Sequence, residues 1–290
     1  MFSKNFLYPF VFLVIVLITF LTRTEINQSV GWTYPYCSGA ANLDFSLKWE
    51  IDPNEYAVVS KMHQDEYRSH RHIVSENPII YEYNNFGYVL IVFIARNLFF
   101  WMGDLNSVIL LQILVHAFIS ISIIKRLNSK LLAPLFLFLY AVNPFVSHFV
   151  TFPFYYFWAV IPSYIFLLLF FRKKSFTYEL FYLLPLLYFA YIIRPTTILI
   201  IFFFLFYQII LDKSKFRLSA LSSLIVFSAL AFLLSSTPST LGRRGQQSTI
   251  WHTAYIGLGA YPNKYGIQLS DEFAFTKYHK ETGIGMSSNP

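Results

Sequence analysis

"GYVLIVFIARNLFFWMG", residues 87–103, decides how this chain folds. The stretch is apolar enough to enter a bilayer, yet it holds Arg96 near its centre. As a crossing it would set a guanidinium near mid-bilayer, which costs about 2.5–3.5 kcal/mol on insertion scales. It would also move every later basic cluster to the other face of the membrane. As a helix lying along the outer surface it does neither. The surface reading is therefore the expectation, and it sets the parity of everything around it.

Outward from this stretch the chain is oily. Its 290 residues are 56% hydrophobic and 13% charged, with 33 Phe and 21 Tyr, whereas soluble domains carry about a quarter charged residues. A bilayer is the expected solvent. The first apolar run, "FLYPFVFLVIVLITFLT" (6–22), ends without a small-x-small cleavage site and is expected to stay as a first spanning helix. Further runs cover roughly 105–124, 131–150, 153–171, 177–193, 195–211 and 216–236. The basic gaps "KRLNSK" (125–130), "RKKS" (172–175) and "DKSKFR" (212–217) belong in the cytoplasm. "NPFVSH" (143–148) and "RPTT" (194–197) alternate with them and belong outside, with Pro144 and Pro195 marking helix breaks.

The expected fold is an all-α polytopic membrane protein. It has about seven transmembrane helices, juxtamembrane helices on the outer side, a cytoplasmic N-terminus and an outer C-terminus. Residues 1–236 would form the membrane module, including an outer loop over 23–103, and 237–290 an outer C-terminal segment. The net charge of +7 is spread over short clusters between apolar runs, so it reads as topology and not as a nucleic-acid surface. The single Cys37 excludes an internal disulfide and a Cys-based zinc cluster.

Residues 23–86 carry the acid. "WEIDPNEYAVVSKMHQDEYRSHRH" (49–72) alone holds five of the fifteen carboxylates. In "DPNEY" Pro53 suits a first helical turn, with Asp52 as N-cap and Glu55 three residues on. Asp52 then either starts a surface helix or serves as a general base with a raised pKa at the membrane surface. Asp44 and Glu55 are the other candidates in this loop. In "HQDEYRSHRH" (63–72), His70 and His72 are two apart, which suits a strand or loop but not one helix face. No HExxH pattern occurs, and a solvated, charged helix is preferred there to a metal site. In the tail, "WHTAYIGLGAYPNKYGIQLSDE" (251–272), His252 and Asp271 could meet across a cleft. Arg194, Arg243 and Arg244 fall on the outer side against the positive-inside trend; a lipid phosphate would account for them, and so would snorkelling to anionic headgroups or a salt bridge to the acidic loop.

The arrangement resembles the GT-C class of integral-membrane glycosyltransferases, in particular bacterial relatives of the protein O-mannosyltransferase and aminoarabinose transferase group. "DPNEY" (52–56) looks like that class's Asp-x-x-Glu-Tyr-type stretch in the first outer loop. "YNNFGYVLIVFIARNLFFWMGDLNSVILLQIL" (83–114) looks like the surface helix and spanning helix that follow it. "LYAVNPFVSHFVTFPFYY" (139–156), "YIIRPTTILI" (191–200) and the tail segment 251–272 are similar to later parts of the class. This resemblance implies a sugar donor on a polyprenyl phosphate, embedded in membrane lipid, and a glycan, lipid or protein acceptor outside the cytoplasmic membrane. It implies Asp52 as the general base. Arg194, Arg243 and Arg244 would steady the leaving phosphate, a role that follows from sidedness and chemistry. The class has members with and without a divalent metal, so no cofactor is assigned and a divalent ion stays open. Two other classes remain. One is a transporter or flippase of lipid-linked saccharide, for which His116 is the polar candidate within a span; a bond to a backbone carbonyl would explain it equally. The other is a non-catalytic subunit of a glycan-assembly system.

Single cysteines placed in 23–86 and in 237–290 of a Cys37→Ser chain should both react with an impermeant maleimide on intact cells. Labelling of the two segments from opposite faces would dissolve the expected outer centre.

Overall fold

The apolar runs among the described residues fold as helices, and no strand occurs among those residues. A computed structural model describes residues 4–23, 33–46, 51, 53–62, 66–67, 70–72, 86–127 and 129–170, with the single positions 193, 266, 277 and 280. In chain order the helices are α1 (Lys4–Leu21), α2 (Tyr34–Ser46), α3 (Pro53–Val59), α4 (Phe86–Leu98), α5 (Asp104–Leu127), α6 (Leu132–Phe136), α7 (Pro144–Thr151) and α8 (Tyr155–Phe170). The chain divides into two compact units, Met1–Ile79 with Tyr83–Phe232, and Ile80–Glu82 with Leu233–Pro290. All these helices lie in the first unit. The expected spans over 177–193, 195–211 and 216–236, and the tail 237–290, fall outside the described residues, apart from isolated positions.

Helix α5 is long and apolar enough to cross a membrane, and it is the organising rod. Its buried stripe runs through Val108, Gln112, Ile113, His116, Ala117, Ser120 and Ile121, spacings of three and four that repeat one helix face. Ile15 of α1 packs against Ala117 and Ile121, with Tyr8, Val11, Phe12 and Ile124 around them. The Lys125 ammonium lies 4.7 Å over the Tyr8 ring. The start of α1 thus meets the end of α5, and the two helices run antiparallel.

That orientation bears on "GYVLIVFIARNLFFWMG". The chain leaves α1 and re-enters the bundle through α5 at the same end, so α2, α3 and α4 belong to one excursion. Helix α4 has 13 residues, about 20 Å of rise, against about 30 Å of hydrocarbon. It buries Tyr88, Val89, Ile91, Val92 and Ala95 while Ile94 and Leu98 stay exposed. Helices α2 and α4 pack together. Tyr36, Tyr88 and Phe154 interlock edge to face, at centroid distances of 5.0, 6.0 and 6.2 Å, and tie this excursion to the residues before α8. The Thr33 hydroxyl adds a bond to the Pro153 carbonyl at 2.9 Å.

Pro144 breaks its helix where the sequence indicates. The chain leaves α6 through a π-helical turn, Leu137–Ala141, and bends by 53° before α7. Pro144 has no N–H to continue the ladder, and Asn143 caps the new start by accepting from the Phe145 N–H at 2.9 Å. Carbonyls orphaned by the break find side chains. The Asn143 amide donates to Leu139, and His116 Nε2 lies 2.9 Å from the Ala141 carbonyl. Gln112 closes the other end of α7, donating to the Val150 and Phe152 carbonyls at 2.7 and 2.9 Å. His116 is therefore bonded to backbone through Nε2, while its Nδ1 has no partner among the described residues.

Replacing Asn143 by Ala removes the cap from α7 and should destabilise the protein by about 1 kcal/mol, read as a lowered thermal midpoint in detergent. Asn143→Asp, which keeps an accepting oxygen, should retain most of the stability.

Candidate functional site

Helix α3 starts at Pro53, where the fixed φ of proline suits a first turn. Glu55 and Val59 stand four apart, so they share one face, and both are fully buried. A carboxylate on a buried stripe is costly without partners, and three described side chains supply them. Ser38 of α2 donates to Glu55 Oε1 at 3.0 Å. His70 Nε2 lies 2.9 and 3.0 Å from the two carboxylate oxygens. His72 Nδ1 lies 3.1 Å from Oε1 and 2.9 Å from the Ser38 hydroxyl.

The two imidazoles reach Glu55 because their segment is not helical. A turn bonds the His70 N–H to the Tyr67 carbonyl at 3.1 Å. Beyond it, residues 70–72 belong to no helix, and alternation sets His70 and His72 inward and Arg71 in solvent. The solvated, charged helix expected over 63–72 is thus corrected at its C-terminal end: His70 and His72 fold back onto a buried acid.

Behind His72 a second tier continues. Tyr67 OH lies 3.2 Å from His72 Nε2 and donates to Asp104 Oδ2 at 3.2 Å. Asp104 Oδ2 also lies 3.7 Å from His72 Nε2. Asp104 is the first residue of α5, where the helix dipole favours a carboxylate. Arg96 Nε bridges it at 3.6 Å to Asp44 at 3.1 Å, and Asn97 donates to Asp44 at 2.9 Å. The expensive Arg96 of the sequence is thereby ion-paired. Tyr34 stacks on Tyr67 at a centroid distance of 4.0 Å and covers the network.

Electrostatics follow from this packing. Burial pushes the His72 imidazole down, but hydrogen bonds to Asp104 and Glu55 and their charges outweigh it and hold its pKa above the ordinary value. Burial drives the Tyr67 phenol well up, with the charges of Cys37 and Asp104 adding to it, so Tyr67 remains a donor. Cys37, fully buried beside Tyr67, is likewise pushed up by burial and by Asp104. It is a packing thiol.

Of the residues named from sequence, Glu55 is central to the cluster. Asp44 is exposed and joined to it through Arg96 and Asp104. Asp52, Arg194, Arg243, Arg244, His252 and Asp271 lie outside the described residues. Sequence reasoning missed Ser38, Tyr67, Arg96 and Asp104 as partners. The legible clues were local: Glu55 four residues before an apolar Val59, and the His-Arg-His alternation. No family model, curated protein or solved structure matches this chain.

Cys37 should resist iodoacetamide in the folded protein and react stoichiometrically after denaturation, as mass spectrometry would report. Rapid alkylation of the native chain would contradict both its burial and its raised pKa.

Proposed function

We propose that this chain is a membrane-embedded glycosyltransferase that takes a sugar from a polyprenyl-phosphate donor to a glycan, lipid or protein acceptor at the outer face. The observation that carries the reading is a buried, histidine-flanked carboxylate, Glu55 of α3, which His72 links to Asp104 at the start of the long apolar helix α5. Two further features support it. Large apolar side chains stand exposed along the helices, among them Phe10, Leu13 and Leu17 of α1, Phe118 of α5 and Phe145 of α7. Such surface suits lipid. Phe100 and Trp101, exposed just before α5, suit the headgroup level. On this reading the polar cluster lies at the interface, where the head of a lipid-linked donor would sit. The remaining spans, the seven-helix count and the outer position of 237–290 belong to the same proposal.

The chemistry assigned to the residues is a displacement. The acceptor's O–H or N–H proton passes to the Asp52 carboxylate while the acceptor atom bonds to the anomeric carbon. The bond from that carbon to phosphate oxygen breaks, and its electron pair leaves with the polyprenyl phosphate. In sequence Asp52 immediately precedes Pro53, the first residue of the helix that holds Glu55, and the Glu55 cluster is assigned a positioning role toward the base. Arg194, Arg243 and Arg244 would receive the departing phosphate charge. His116, the residue that favoured transport, has a structural partner in the Ala141 carbonyl.

Purified protein supplied with radiolabelled polyprenyl-phosphate sugars should transfer label to acceptor. Asp52→Asn should lower the rate by about 10²–10⁴-fold, the usual worth of a general base. Transfer by that variant at the wild-type rate would remove the assigned base. Saccharide movement across proteoliposomes without covalent transfer would replace this function by transport.

A further inference from the structure

The geometry points to a divalent transition-metal site formed by Glu55, His70 and His72, and we propose zinc, or an ion of similar softness, as its occupant. One ligand atom from each residue lies within 4.8 Å of the others. The closest approaches are 2.9 Å between Glu55 and His70 and 3.1 Å between Glu55 and His72. Ligands about 2.1 Å from one ion stand about 3.0 Å apart at right angles and about 3.4 Å apart at a tetrahedral angle. Glu55 therefore stands at the spacing of a neighbouring ligand to each imidazole, and the two imidazole nitrogens lie within 4.8 Å of one another. Two imidazoles with one carboxylate select zinc, cobalt or iron over magnesium and calcium, which prefer oxygen throughout.

The surroundings are those of a supported metal site. With His72 ligating through Nδ1, its Nε2–H faces the Tyr67 hydroxyl at 3.2 Å and the Asp104 carboxylate at 3.7 Å. A carboxylate behind a ligating histidine fixes the ring and raises its basicity. Ser38 donates to Glu55 Oε1 at 3.0 Å and orients that carboxylate, its hydroxyl also lying 2.9 Å from His72 Nδ1. The side chains of His70 and His72 keep 13% and 17% exposure against none for Glu55, which leaves an ion a way in. Three protein ligands leave at least one position for water or a phosphate oxygen, the arrangement of catalytic and not of closed structural zinc sites.

This inference stands on the cluster alone and does not require that a sugar be transferred. The full chain, purified in detergent and stripped with a chelator, is titrated with cobalt(II) and then zinc(II). The expected result is one ion per chain retained through gel filtration, with visible cobalt bands of an imidazole-ligated site that zinc abolishes and millimolar magnesium does not. Asp104→Asn should weaken binding by about 10–100-fold, His70→Ala and His72→Ala should weaken it further, and His148→Ala should leave it unchanged. Wild-type protein that retains no stoichiometric metal overturns the proposal, whatever the variants do. Retention unaffected by His70→Ala and His72→Ala, with the thermal midpoint of the stripped protein preserved, overturns it equally.

Discussion

A carboxylate sealed from water is the constraint around which the described helices arrange themselves. Glu55 is fully buried, and a charge so placed is tolerated only with close partners. Among the described residues, partners reach it from two segments: Ser38 on α2, and His70 and His72 after the turn at Tyr67. Holding those partners requires α2 to pack on α4, Tyr34 to stack on Tyr67, and Asp104 to stand behind His72. The second tier then needs Arg96, and Arg96 needs Asp44. Polar bonds that would be worth little on a surface set the order of packing here, because each removed member leaves another stranded.

The apolar part of the fold was legible because periodicity and proline act locally. The runs 6–22, 105–124 and 153–171 reappear as α1, α5 and α8, and Pro53 and Pro144 begin helices as their fixed φ requires. The π-helical turn over Leu137–Ala141 was not legible. It arises from a contest among the Pro144 break, the Asn143 cap and the reach of His116 to a freed carbonyl, and no single residue announces the outcome. Arg96 stood out in the sequence as costly at mid-bilayer, but its ion-pair partners lie 52 residues back and 8 residues ahead, beyond any local pattern.

The site was half legible. Spacing placed Glu55 at the start of a helix and showed that His70 and His72 suit a strand or loop and not one helix face, although a solvated, charged helix was preferred there. It could not say that the two would meet, because that contact depends on a turn after α3 and on the α2 wall. Charge density misled: a stretch rich in acid and base reads as solvated, yet its His70 and His72 turn inward to serve one buried group. Ser38 and Tyr67 carry no chemical signature until a partner is known. The Asp44 carboxylate was noticed for its chemistry, and its described role is to hold a guanidinium.

The antiparallel pairing of α1 with α5 has a consequence for biosynthesis. Every described member of the polar cluster falls between Ser38 and Asp104, and the last of them is also the first residue of the long apolar rod. During translation the pocket therefore stays open at one wall until that rod begins to emerge. Completion of the polar cluster and synthesis of the start of the rod thus depend on the same residue, Asp104.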